Sequence, residues 1–305
     1  MPVALIIIYN HQYNKNIDIL EKLYVDRFDS IYHLVPFYSG SKSNVIPVYE
    51  NSIYFQGYVA QALNSFFNDK FEHYFFIGDD LILNPEVDQF NYKNHLQLTN
   101  KTSFLPGIIN FHDEINFWPR IAEAFVYRLN VKGVEAENQL PSTTDATHKF
   151  NRCGIYFKPI KYTQVYRRPK IVCSFLSLIK NVRYLKHMLN EVFFKRDFNL
   201  SYPLIGSYSD IFVVSSSSIK DFCHYCGVFA ATNLHVEIAI PTAIILATEE
   251  IVTEKDLVLQ GRALWNDEDL KILDKYNFDL NQLLSDFPKN HLYIHPVKLS
   301  KWKTN

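Results

Sequence analysis

Cysteine is scarce in this chain, long apolar runs are missing, and charge of neither sign dominates. Four cysteines in 305 residues, at Cys153, Cys173, Cys223 and Cys226, are too few and too irregularly spaced for a disulfide framework. The fold must therefore be held by a buried core, as is usual in a reducing compartment. Cys223 and Cys226 form a C-x-x-C, but it sits in the run from Asp221 to Gly227 and not at a strand-to-helix turn, which argues against a redox or zinc pair. No apolar run approaches the roughly 18 residues that a membrane-spanning helix needs. The opening Met-Pro-Val-Ala-Leu lacks the basic region of a secretion signal, so the expectation is a soluble, cytoplasmic protein. With 31 basic and 32 acidic side chains the net charge is −1, and no block of five or six like charges occurs, which argues against a protein that lives on nucleic acid. A local basic stretch from Lys158 to Lys170, with Arg167 and Arg168, reads as a solvated face and leaves room for a peripheral contact at the inner face of the membrane.

What is present is a large supply of core material: 48% of the residues are hydrophobic and 15% aromatic. The run Val3 to Ile8 is β-branched and apolar with no polar alternation, the pattern of a strand buried on both faces of a parallel sheet. Ile17, Leu20, Leu23 and Tyr24 then repeat at helical spacing. Ser30 to Phe37 and Val45 to Tyr49 read as strands, Tyr54 to Phe67 as a crossover helix, and His73 to Ile77 as a further strand. Alternation of strand and helix over the first 85 residues predicts right-handed crossovers and an open, mostly parallel α/β sheet.

The rest of the chain is less regular. Leu96 to Gly107 reads as a loop, Ile115 to Leu129 as a helix, and Val134 to Arg152 as a polar, mobile lid around Pro141-Ser142-Thr143-Thr144. Ile171 to Phe194 has the periodicity of a long amphipathic helix, Ile211 to Val214 that of a strand, and Ser218 to Ala231 that of a helix. After Pro241 an apolar helix is predicted from Thr242 towards Glu249.

The strand His73 to Ile77 ends abruptly in Gly78-Asp79-Asp80. Two adjacent carboxylates at the end of a buried strand repel each other, and a divalent cation such as Mn²⁺ or Mg²⁺ removes that cost. In open α/β sheets ligands bind outside the carboxyl ends of the strands, where this pair falls. Read instead as a turn and capping device, the pair needs no ion. Glu237, in an otherwise apolar stretch, needs either a partner or a role, and burial there suits a general base. Asp210 is a second candidate for that role or for a helix cap. Tyr9, Asn10 and His11 leave the first strand at the same sheet edge and offer stacking and amide hydrogen bonds to a nucleotide base, with ordinary sheet packing the alternative for Tyr9.

The ordered pattern of Ile6-Ile7-Ile8-Tyr9-Asn10 and Phe75-Phe76-Ile77-Gly78-Asp79-Asp80 resembles the GT-A superfamily of nucleotide-sugar glycosyltransferases, which end a strand with a D-x-D-type motif. This chain has Gly-Asp-Asp in its place. The resemblance implies a GT-A-like, Rossmann-like sheet flanked by helices in one domain. Residues 1–110 would form the nucleotide and donor half, and residues 111–305 the acceptor half with a C-terminal lobe. It implies a metal-dependent transfer from a nucleotide-sugar donor to a hydroxyl of a glycan or lipid-linked glycan. Asp79 and Asp80 would hold the metal, and Glu237 or Asp210 would face the acceptor. His295 and Lys298 match in type and spacing the histidine and lysine near the C-terminus of retaining GT-A enzymes that build bacterial surface glycans, a third metal ligand and a diphosphate contact. His112-Asp113-Glu114 and Trp118 fall where such enzymes place donor-sugar contacts. Two alternatives stay open: a sugar-phosphate nucleotidyltransferase, although the Gly-rich basic signature of that class is missing at Ile8 to Gln12, and a non-catalytic binding module.

Overall fold

The computed structural model describes residues 2–112, 120–158, 160–161, 182, 199–200 and 202–304. In chain order its strands are β1 (Val3–Ile8), β2 (Ile31–Pro36), β3 (Val45–Val48), β4 (His73–Gly78), β5 (Ile82–Leu83), β6 (Thr102–Leu105) and β7 (Ile109–Asn110). They continue as β8 (Ile160–Lys161), β9 (Asn199–Leu200), β10 (Ile205–Gly206), β11 (Ile211–Ser215), β12 (Glu250–Thr253), β13 (Gln260–Ala263) and β14 (His291–His295). Helices α1 (Asn14–Tyr24), α2 (Gln56–Phe66), α3 (Tyr92–His95), α4 (Ile121–Val126) and α5 (Thr143–Arg152) precede α6 (Ile219–Ala231), α7 (Val236–Ala247), α8 (Asp267–Leu270) and α9 (Leu280–Ser285).

The central sheet has seven strands in the order β12-β6-β11-β4-β1-β2-β3. β1 pairs in parallel with both β2 and β4, as its unbroken apolar composition requires of a strand buried on both faces. β11 alone runs against its neighbours β4 and β6. The architecture is a mostly parallel, Rossmann-like α/β sheet flanked by helices.

Alternate residues of each central strand feed different layers. Ile6 and Ile8 of β1, Phe76 of β4 and Phe212 of β11 face α2, α6 and α7, while Leu5, Ile7, Phe75 and Ile77 face α1 and the C-terminal segments. Burial of such side chains on both faces is the main source of stability, at roughly 25 cal/mol per Å² of apolar surface. Among the described residues no helix is long and apolar enough to cross a membrane.

Three expectations from the sequence are corrected. Thr102-Ser-Phe-Leu105, within the segment read as a loop, is strand β6, wholly buried between β11 and β12. The segment read as a mobile lid carries α5: Ser142 caps it by accepting from the Asp145 amide, and Ala146 and Phe150 bury against the core. The Ser-x-x-Asp spacing is the N-cap signature that opposes a loop there. The helix expected to follow Pro241 begins five residues before it, at Val236. The proline is accommodated because the Glu237 carbonyl, which a residue-241 amide would otherwise meet, accepts from the Ser207 amide at 3.0 Å. Apart from residue 182, the long helix expected over Ile171 to Phe194, with Cys173, lies outside the described residues, as does most of the basic stretch from Lys158 to Lys170.

Phe76 and Phe212 stack at 4.6 Å between ring centroids and are both fully buried. Phe212→Ala is expected to cost about 3–5 kcal/mol, read as a lower urea midpoint with little change in slope.

Candidate functional site

Three strand ends bring the acidic residues together. Asp79 and Asp80 follow the last residue of β4, and the β1–β4 pairing runs on for one more step, with the Asp79 amide donating to the Ile8 carbonyl at 2.9 Å. Because β11 runs antiparallel, its first residue, Ile211, pairs with Ile77, which puts Asp210 opposite Gly78. The Gly78 amide donates to the Asp210 carbonyl at 2.8 Å. A β-carbon on Gly78 would sit 3.4 Å from Asp80 Oδ1 and 3.6 Å from Asp210 Oδ1, so glycine keeps open the space that the two carboxylates share.

His295 arrives from a second sheet. β14 pairs antiparallel with β5, just past Asp80, and the Val297 amide donates to the Asp80 carbonyl at 2.6 Å. His295 Nε2 then lies 3.0 Å from Asp80 Oδ1 and 3.7 Å from Asp210 Oδ1, while its Nδ1 is hydrogen-bonded to the Tyr208 hydroxyl. Burial opposes a charge on this imidazole, but the Asp80 contact and the nearby Asp210 and Asp79 charges prevail and raise its pKa. The 3.0 Å approach is an ion contact rather than an aligned hydrogen bond, and Asp80 Oδ1 is a buried oxygen that accepts none.

Asp79 is 4% exposed. Burial, and then the Asp80 charge, push its carboxyl up to about 7; Asn16 and backbone amides, including that of Asn10, offset part of this. The Asn16 amide, on the first turn of α1, donates to Asp79 Oδ2 at 3.1 Å. Burial raises the Asp210 carboxyl as well, with His295 opposing and Asp80 adding to the shift.

Tyr208 links this cluster to a cleft of about 700 Å³. Its lining includes Tyr208, Glu237, Glu254, Lys255, Trp265 and Tyr293. Glu237 is the second residue of α7, its backbone amide donates to His235 Nδ1, and Arg120 Nε stands 4.0 Å from its carboxylate, the outer limit of an ion pair. Burial, and then Asp210, raise the Glu237 carboxyl to about 7. Arg120 itself is engaged with Glu123 at 2.9 Å.

The remaining predicted residues fall as follows. Tyr9 is fully buried on the α1 side, its hydroxyl 2.9 Å from His33 Nδ1, so its ring packs in the sheet and does not face a ligand. Asn10 is half-buried and His11 exposed at the tip of β1, with the His11 ring edge-on to Tyr13. Lys298 is exposed, three residues beyond His295. His112 is buried, with Nδ1 2.8 Å from the Lys158 carbonyl, whereas Asp113, Glu114 and Trp118 lie outside the described residues. Cys223 and Cys226 are buried in α6, and burial raises both thiols, which leaves them inert.

Sequence reasoning did not find Asn16, Tyr208, Glu254, Trp265 or Tyr293. Asn16 carried a readable signal, because it falls on the stripe of Leu20 and Tyr24 at four-residue spacing, where a polar side chain needs a buried partner. The others become neighbours only through the β13–β14–β5 sheet.

Among the described residues no group of three or more His, Cys, Asp or Glu is arranged to hold a metal ion as it stands. The donors nonetheless fit a divalent cation in chemistry: carboxylate oxygens and one imidazole, an oxygen of Asp80 without a hydrogen bond, and a space kept open by Gly78. No family model matches the sequence, and no curated protein matches it.

The Asp79 shift has a thermodynamic consequence. A carboxyl whose folded pKa of about 7 exceeds its ordinary 3.8 favours the fold when protonated, so its contribution is complete below about pH 4 and is lost as the pH rises to about 7. Asp79→Asn is therefore expected to raise the melting temperature of metal-free protein above pH 7, by up to about 4 kcal/mol of stability, and to change little near pH 4. Thermal melts across that range decide it.

Proposed function

We propose that the chain is a divalent-metal-dependent glycosyltransferase of the GT-A type, moving a sugar from a nucleotide-sugar donor to a hydroxyl of a glycan or lipid-linked glycan. The observation that carries this reading is the meeting of Asp79, Asp80, Asp210 and His295 at the carboxyl edge of a mostly parallel sheet, beside the tip of β1 and next to a large cleft.

Asp79, Asp80 and His295 would hold Mn²⁺ or Mg²⁺, which when bound neutralises the departing diphosphate. Asn10 and His11, exposed or half-exposed where β1 ends, are assigned to the nucleotide, and Lys298 to the diphosphate. Asp210 is assigned an electrostatic role toward the His295 imidazole, its Oδ1 3.7 Å from Nε2, while Tyr208 holds Nδ1. Glu237 is assigned as general base. Its carboxyl lines the cleft, and with a pKa of about 7 it is ionised enough at neutral pH to accept a proton yet basic enough to take one from a hydroxyl. A lipid-linked acceptor would bring the chain to the inner face of the membrane.

Titration calorimetry with UDP, GDP and CMP, with and without Mn²⁺, is expected to show one nucleotide binding more tightly with the ion; no binding under any condition would favour a non-catalytic module. Replacing both Asp79 and Asp80 by Asn should abolish donor turnover while the cooperative melt survives. Glu237→Gln should lower kcat by roughly 10²–10⁴ and remove an ionisation near pH 7. Since a general base acts deprotonated, the wild-type rate should fall as the pH drops below about 7.

A further inference from the structure

The cleft beside the acidic cluster is lined by three aromatic side chains, Tyr208, Trp265 and Tyr293. Trp265 is 71% exposed, and its ring stands edge-on to Tyr208 at 5.1 Å. Tyr208 in turn stacks on Tyr293 at 6.5 Å with planes 14° apart. A lone exposed aromatic needs no explanation, but Trp265, braced edge-on by Tyr208 in the wall of a cleft of about 700 Å³, offers the face of its own indole as an apolar platform.

The aromatic wall is built at a backbone cost. A β-carbon on Gly261 would lie 2.2–2.4 Å from the Tyr293 ring, so only glycine lets that ring lie against β13. The pairing of β13 with β14 is irregular at that point, between Gln260 and Gly261, and the freed Gly261 amide donates to Glu254 Oε2 at 3.0 Å. One glycine thus seats both an aromatic wall and a carboxylate of the same cleft.

Among the described residues the charged side chains that line the cleft are Glu237, Glu254 and Lys255, and Arg120, 4.0 Å from Glu237, is paired more closely with Glu123. Carboxylates accept hydrogen bonds in pairs from vicinal hydroxyls or from an ammonium, and both favour a ligand with donors on its rim and an apolar C–H face to lie on an indole. A ligand carboxylate would instead meet like charge in a half-buried setting, which specificity uses as a repulsive element.

We infer that this cleft is a subsite for a neutral or amino-substituted sugar ring, with Trp265 as its stacking platform and Glu237 as hydrogen-bond acceptor, and that it turns away uronic acids. Identifying that sugar as the acceptor rests on the glycosyl-transfer reading; the existence of the subsite does not. Tyr208 connects the two, since its ring belongs to the cleft wall and its hydroxyl to His295.

Chitotriose, its de-N-acetylated amine counterpart, lactose and trigalacturonate serve as probes, titrated calorimetrically against the full chain at mildly alkaline pH. At least one of the first three should bind, and trigalacturonate at least ten-fold more weakly. Trp265→Ala, at an exposed position, should weaken sugar binding by ten-fold or more and leave nucleotide titrations unchanged. Trp265→Phe, which keeps a ring, should retain most of the affinity. The inference is overturned if no neutral or amino sugar binds, if trigalacturonate binds as well as the best of them, if Trp265→Ala leaves sugar affinity intact, or if that variant loses nucleotide instead. Sugar binding without any nucleotide binding would leave the subsite standing and sink the transferase reading; nucleotide binding without sugar binding would do the reverse.

Discussion

The structure depends on how negative charge is tolerated at the end of a buried strand. Asp79 and Asp80 leave β4 side by side, and the reversal of β11 adds Asp210 directly across from Gly78. Desolvation and mutual repulsion raise the Asp79 carboxyl to about 7. The fold answers with His295, carried in by a separate sheet whose partner strand, β5, begins two residues after Asp80. The same short segment therefore supplies the acids and the pairing edge that delivers their imidazole.

A second dependence runs through Pro241. A proline inside a helix leaves one carbonyl without its amide, and here that carbonyl belongs to Glu237. The Ser207 amide takes it, which fixes the chain immediately before Tyr208. Thr242 extends the anchorage, its hydroxyl accepting from the Ile205 amide at 3.2 Å. A defect in the helix is thus used to join the carboxylate of the cleft to the tyrosine that borders both cleft and cluster.

Rigidity and reach are divided between the two sheets. The seven-stranded sheet fixes Asp79 and Asp210 by main-chain hydrogen bonds, so their relative positions follow from register, while the Asp80 carbonyl is held by the Val297 amide that follows β14. The three-stranded sheet β13-β14-β5 positions His295, Tyr293 and the Gly261 bend. The site lies where these two meet, a place in which small differences of docking become differences of charge separation.

Much of the first half was legible in the residues themselves. Apolar runs such as Val3 to Ile8 and His73 to Ile77 have the pattern of strands buried on both faces, which they are, and their ends locate Asp79 and Asp80 at the carboxyl edge. Strand β6 was not legible, because four residues flanked by polar ones acquire their meaning from burial between β11 and β12. For Tyr9 the sequence left open a ligand platform or ordinary sheet packing, and the buried contact of its hydroxyl with His33, 24 residues away, goes with the packing. The pairing of Asp210 with Gly78, of Asp80 with His295, and of Trp265 with Tyr208 was decided by tertiary structure alone. Local sequence specifies periodicity and ends of elements, while the direction of β11 and the docking of β14 arise from contacts between residues far apart in the chain.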